Sequence, residues 1–207
     1  MNNEAALTLH RHPLSGHCHR VELLLALAGL SCELINVDLA ARAQKQPAFL
    51  QKNRFGQVPV LTHGDFTLAD STAILVYLAE RFPSASAYLP RDPQTRGQIQ
   101  RWLAVAAGQL VQGPANARAV RVFKRDLDHA HAVNVASALF TVMDAELSEH
   151  PFLIGATPTL ADIALYAYTA HAPEGDISLE PYPNIRAWLT RIEALPRFVP
   201  MQRAKQS

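Results

Sequence analysis

The chain has 207 residues, of which 49% are hydrophobic and 18% charged, and a formal net charge of +1. That is long enough for two small domains sharing an interface. The balance excludes a disordered chain, and it excludes the broad basic field that nucleic acid or an anionic membrane selects. Small molecules or a second copy of the chain are the expected partners. "MNNEAALTLHRH" has no basic segment leading into a long apolar run, and Leu23 to Leu30, the longest uncharged apolar stretch, is too short to span a bilayer, so a cytoplasmic protein is expected. Cys18 and Cys32 are then expected to be thiols.

In chain order, "ALTLH" (6–10) reads as a strand, 16–29 as a helix, "CELINVDL" (32–39) as a second strand and "PAFLQKN" (47–53) as a short helix opened by Pro47. "VPVLTHGDFTLA" (58–69) reads as two short strands around the turn residues His63-Gly64-Asp65, followed by a helix over 71–82. A β-α-β piece with a hairpin and a closing helix predicts a mixed four-stranded sheet covered by helices. The proline-rich stretch 83–93 is the expected linker between a domain at 1–82 and one at 94–207. Beyond it, helices are expected at 94–122, broken or kinked by Pro114, at 128–149, 159–172 and 184–195, with a last helical turn near Pro200. "TLAD" (159–162) has the pattern of a capping box.

Three junctions in the first unit can capture an anion or an extended backbone. Ser15 stands where a strand gives way to a helix, beside unpaired amides and the positive end of the helix dipole; as a residue type it serves equally as a plain N-cap. Val58-Pro59 puts proline at a strand entry, where a cis bond or an exposed edge is expected. Asp70 and Ser71 open another helix, either as a cap or as a seat for a ligand's charged end.

Five stretches carry a resemblance that runs from about residue 7 to about 198. They are Ser15 with Arg20-Val21 after four intervening residues, "NRFGQVPVL" (53–61), "LADSTAILVYLAERF" (68–82), "LIGATPTLADIALYAY" (153–168) and "YPNIRAWLTRIEALPRF" (182–198). In this order and spacing, with the proline linker, the chain resembles the cytosolic glutathione transferases of the serine, bacterial-like type. The resemblance implies a thioredoxin-like α/β N-terminal domain, an all-α C-terminal domain and a homodimer. It implies glutathione as co-substrate, transferred to a small hydrophobic electrophile in a detoxification reaction. On the family pattern Ser15 hydrogen-bonds the glutathione sulfur and the Val58 backbone, with Pro59 in cis, pairs with the cysteinyl unit. Gln57, Asp70 and Ser71 hold the γ-glutamyl end, and Lys45, with Gln44 as the alternative, faces the glycyl carboxylate. Trp102 would face the cleft, or else be a buried interdomain aromatic.

Glutathione-dependent reduction of disulfides or peroxides is the alternative activity, and a non-catalytic binding module a further one. The isomerase-type members carry Ser-Ser-Cys where this chain has Ser15-Gly16-His17. "SGHC" (15–18) keeps C-x-x-C spacing with serine in the nucleophile's position, and Cys18 is expected to face the core with a raised pKa. His10, His12, His17 and His19 lack any spacing that gathers them, so no metal is expected. "RAVRVFKRD" (118–126) reads as a solvated basic face at a helix end.

Overall fold

The computed structural model describes residues 6–204. The outermost residues of the two expected domains, 1–5 and 205–207, lie outside it, as does the start of the N-terminal stretch read above for a leader. Four strands form one sheet in the order β2-β1-β3-β4: β1 (Leu7–Arg11), β2 (Cys32–Asn36), β3 (Val60–His63) and β4 (Phe66–Ala69). β1 and β2 are parallel, with Leu9 opposite Leu34, while β3 runs antiparallel to both β1 and β4. The helices of this unit are α1 (Gly16–Leu27), α2 (Pro47–Leu50) and α3 (Ser71–Arg81). The expected second strand stops three residues early because Asp38 Oδ1 accepts from the Ala41 amide at 2.9 Å, turning the chain.

The rest is helical: α4 (Pro93–Ala107), α5 (Asn116–Phe123), α6 (His129–Glu149), α7 (Leu160–Ala170) and α8 (Pro183–Glu193). This matches the expected α/β unit followed by an all-α one. The helix expected over 94–122, kinked or broken by Pro114, is indeed interrupted: α4 stops at Gly108 (φ −102°, ψ −95°), six residues before the proline. Pro114 has no N–H to give and its ring displaces the preceding turn, so Val111–Ala115 widens into a π turn before α5. Residues 83–88 form a 3₁₀ turn that buries Ala85. No helical turn forms near Pro200. The Val199 carbonyl is taken by His19 Nε2 at 2.8 Å and Phe198 packs edge-on against Tyr166, which holds the segment extended across the protein.

α7 is the axis of the helical unit, buried from Leu160 to Thr169 and packed against α1 on one side and α4 on the other. Its start is the expected capping box, carried further. Asp162, fully buried, accepts from the amides of Leu153 and Thr159 at 2.9 and 2.8 Å, from the Thr159 hydroxyl at 3.1 Å and from Trp188 Nε1 at 2.9 Å. One carboxylate thus ties the 153 turn, α7 and α8 together. Asp144 does similar work for α8 from outside it, receiving the amides of Asn184 and Ile185. Trp102 is 2% exposed within the main core, so it is the buried interdomain aromatic and not a cleft wall. Among the described residues, no helix is long and apolar enough to cross a membrane.

Candidate active site

A cleft of about 750 Å³ opens where α1 and α3 begin and the 44–58 loop folds over them. Ser15, Lys45, Gln57, Val58, Pro59, Asp70 and Ser71, drawn from four separate stretches of sequence, all line it, and Gln44 lines it beside Lys45. The sheet order explains the convergence. β1 and β3 are neighbours, so the end of β1 that leads to Ser15 lies beside the start of β3, where Val58 and Pro59 enter.

Ser15 is the N-cap of α1, and its Oγ accepts from the Cys18 amide at 3.3 Å. The two readings of this serine therefore coexist: a lone pair caps the helix while the rotatable O–H can donate to a ligand. Gly16 is required beside it, because a Cβ there would sit 2.8 Å from the Tyr168 ring of α7. Cys18 is wholly buried, its Sγ accepts from the His12 amide at 3.4 Å, and burial pushes its thiol up to about 11. At neutral pH such a thiol is inert.

At the start of α3, Asp70 adopts φ +73° and caps the helix by accepting from the amides of Thr72 and Ala73 at 2.8 and 3.0 Å. Burial pushes its carboxyl up, but the Thr72 and Ala73 hydrogen bonds, with the Arg20 charge, outweigh that and hold it below the usual carboxylate range. Ser71 stands between two groups of α1. Arg20 Nη1 donates to its Oγ at 3.3 Å, so the Ser71 proton is free for His17 Nδ1 at 3.4 Å. Burial drives His17 down to about 3, leaving it neutral.

On the facing wall, the Val58-Pro59 peptide is cis, just before β3 begins at Val60. Asn53 Nδ2 donates to the Gln57 carbonyl at 2.8 Å and fixes this approach. Lys45 Nζ donates to the Phe55 carbonyl at 2.9 Å, which holds the cation at the rim of the cleft. Gly56 at φ +59° makes that closure possible, since a Cβ there would meet the Gln44 carbonyl at 2.7 Å.

Sequence reasoning did not single out His17, Phe55 or Arg125 as cleft residues. Nor did it find the buried arginines. Arg20 is 1% exposed with Nε and Nη2 unpartnered, and Arg118, expected on a solvated face, is also 1% exposed. A burial signal was present for Arg20, which sits among Cys18, Val21 and Leu24 on a helix covered on several sides. For Arg118 the run of neighbouring charges concealed it.

Residues 5–80 match the family described as "Glutathione S-transferase, N-terminal domain" and residues 126–196 the family described as "Glutathione S-transferase, C-terminal domain". Glutathione S-transferase 3 of Zea mays is 34% identical over 94% of this chain and 92% of its own length. Glutathione S-transferase theta-2 of Homo sapiens is 33% identical over 80% of this chain and 72% of its own. Among solved structures, a glutathione S-transferase from Pseudomonas fluorescens superposes with a TM-score of 0.89 at 34% identity, covering 95% of this chain and 99% of that one.

Proposed function

The chain belongs to the glutathione transferase family, and from that premise we propose that it transfers the glutathione thiolate to small hydrophobic electrophiles, with Ser15 as the catalytic hydroxyl. The observation that carries this is the free O–H of Ser15 at the N-terminus of α1, facing a cleft with Lys45, Gln57, Val58, Pro59, Asp70 and Ser71 on its walls. In this reading residues 1–82 bind glutathione, 83–93 link, and 94–207 wall the electrophile site. The γ-glutamyl end meets Gln57 and the α3 N-terminus, the cysteinyl backbone meets Val58, and the glycyl carboxylate meets Lys45 or Gln44.

The chemistry asked of Ser15 is modest. A thiol of pKa about 8.5 is about 3% thiolate at pH 7, and lowering it to about 6.5 makes most of it thiolate. That shift needs about 2.7 kcal/mol of preference for the anion. A hydrogen bond to a charged acceptor contributes about 1.5–3 kcal/mol and a helix N-terminus about 0.3–1 more. Holding the electrophile beside the thiolate supplies the remaining rate by proximity.

A homodimer in the cytoplasm is part of the same proposal. An apolar groove between α3 and α4, lined by Val76, Tyr77, Leu103 and Ala104, supports a second copy on that face, and Phe66, 45% exposed, stacks on Tyr77 beside it. The test of activity is a parallel assay of the purified protein with a halonitroaromatic and with a small glutathione-reducible disulfide. Conjugation exceeding reduction supports the proposal. Reduction alone would assign the protein to glutathione-dependent redox work, and neither, with glutathione still bound, would make it a binding module.

A further inference from the structure

Immediately before Ser15, the Leu14–Ser15 peptide is held at both ends. Its N–H, that of Ser15, donates to the His12 carbonyl at 3.0 Å, and its carbonyl, that of Leu14, accepts from Arg118 Nη1 at 2.8 Å. Arg118 lies on α5, more than a hundred residues away, and its guanidinium is almost wholly buried. Nε donates to Glu174 Oε2 at 2.8 Å, while Glu174 Oε1 receives His171 Nδ1 at 2.7 Å. Burial pushes the Glu174 carboxyl up, but His171 and the Arg118 charge bring it below its ordinary value; burial also lowers His171. Glu174 is accordingly an anion, His171 a neutral donor to it, and Arg118 a fixed cation between Glu174 and the loop.

We propose that Arg118 is a positioning residue for Ser15: the helical unit, through His171, Glu174 and Arg118, sets the direction of the hydroxyl presented by the α/β unit. This rests on the reading of Ser15 as the catalytic hydroxyl. A buried arginine is costly and an apolar side chain of similar volume packs as well or better, so stability alone does not account for it. Its Nη2 remains buried without a partner, a further cost. What Arg118 alone supplies is a charged donor on the carbonyl that precedes Ser15. Rotation of that peptide would swing Oγ, and a misplacement on the order of 1 Å is enough to lose about a hundredfold in rate. Other titratable and charged groups near this peptide are His12, His17 and Cys18 on its own segment, Tyr168 of α7, whose ring lies against Gly16 and His17, Arg11 and Asp38, whose charges act on His12, and the exposed Arg125 on the cleft rim.

The experiment compares Ser15→Ala, Arg118→Met, Arg118→Lys and the double variant Ser15→Ala/Arg118→Met, reading conjugation rate against pH, the ultraviolet titration of bound glutathione's thiol, and glutathione Kd. Ser15→Ala is expected to raise the thiol pKa by about one unit. Arg118→Met is expected to raise it by roughly half a unit or more, lowering the pH 7 rate about three- to tenfold with Kd within about twofold. The double variant should be no worse than Ser15→Ala alone. Arg118→Lys, which keeps the charge but cannot span both partners, should recover part of the shift, and it provides the comparison if Arg118→Met does not fold. An unmoved pH profile in the Arg118 variants with a normal response to Ser15→Ala, or additive losses in the double variant, would overturn the positioning role. An unmoved profile in Ser15→Ala would overturn the serine reading and this proposal with it.

Discussion

The starts of α1 and α7 use the same residue chemistry to opposite ends. Thr159 at α7 is 2% exposed, and its capping partner Asp162 has four donors from three segments, so every polar atom there is spoken for inside the protein. Ser15 at α1 has one amide at 3.3 Å and faces a cleft. A helix start whose partners are all internal is a foundation. One that keeps an unspent donor beside open volume is available to a ligand. The α3 start combines the two, with Asp70 spent on the cap and Ser71 held between Arg20 and His17 at the cleft wall.

Breaking the sealed start should cost most. Asp162→Ala leaves the Leu153 and Thr159 amides and the Trp188 indole N–H buried without an acceptor, and about 3–5 kcal/mol of stability should be lost. Urea unfolding measures this, while the specific activity of the fraction still folded should be unchanged. A destabilisation under about 1 kcal/mol would show that the network is dispensable.

Acid probes the buried face of the first turn of α1. His19 is 3% exposed, and burial, against the Val199 hydrogen bond, lowers it to about 4. The folded protein thus binds this proton less readily than the unfolded chain, whose histidines titrate near 6.5. Its contribution is complete above pH 6.5 and is lost as pH falls towards 4, amounting to about 2 kcal/mol between pH 6.5 and 4.5. Unfolding free energies across that window should fall accordingly, and less steeply in His19→Gln.

Opening the comparison at Ser15 should move rate more than stability. Ser15→Ala should slow conjugation about tenfold at pH 7, equivalent to about 1.4 kcal/mol, and cost at most about 1 kcal/mol of stability as a lost cap. Rates of mutant and parent should converge towards pH 9, where the thiolate forms unaided. A deficit that is constant with pH would assign Ser15 to orientation alone.

How far these sites were legible depended on how local their causes are. The hairpin at His63-Gly64-Asp65, the Thr159–Asp162 box and the gathering of Ser15, Lys45, Gln57, Val58, Pro59, Asp70 and Ser71 at one cleft follow from short-range patterns or from motif resemblance, and these were readable in the chain; His17, Phe55 and Arg125 of the same cleft were not. The interruption in 94–122 was readable as a break or kink at Pro114, but its place was not: the chain leaves the helix at Gly108, and Pro114 sits in the wide turn that follows. The roles of Arg20 and Arg118 were not readable. Each is charged in sequence and buried in three dimensions, its partners lying 51 and 56 or 104 residues away. The segment at Pro200 failed for the same reason: its partner is His19, 180 residues back.

The smallest effect expected is also the one that most sharply separates the two neighbours Ser15 and Cys18. A buried thiol at about 11 leaves on the order of one molecule in ten thousand as thiolate at pH 7, too little to compete with bound glutathione as nucleophile. Its sulfur is a weak acceptor for the His12 amide, and the Leu14–Ser15 peptide is held independently by Arg118 and the His12 carbonyl. Cys18→Ala therefore removes one buried sulfur and should cost about 1 kcal/mol of stability. Rate and glutathione Kd should stay within about twofold, because Ser15 keeps both its cap and its peptide supports. Measured in one preparation with Ser15→Ala, the two variants should differ in rate at pH 7 by about fivefold or more. If the order is reversed, so that Cys18→Ala abolishes turnover while Ser15→Ala leaves it intact, the sulfur at position 18 is reached by opening of the first turn of α1, and the protein works by thiol exchange.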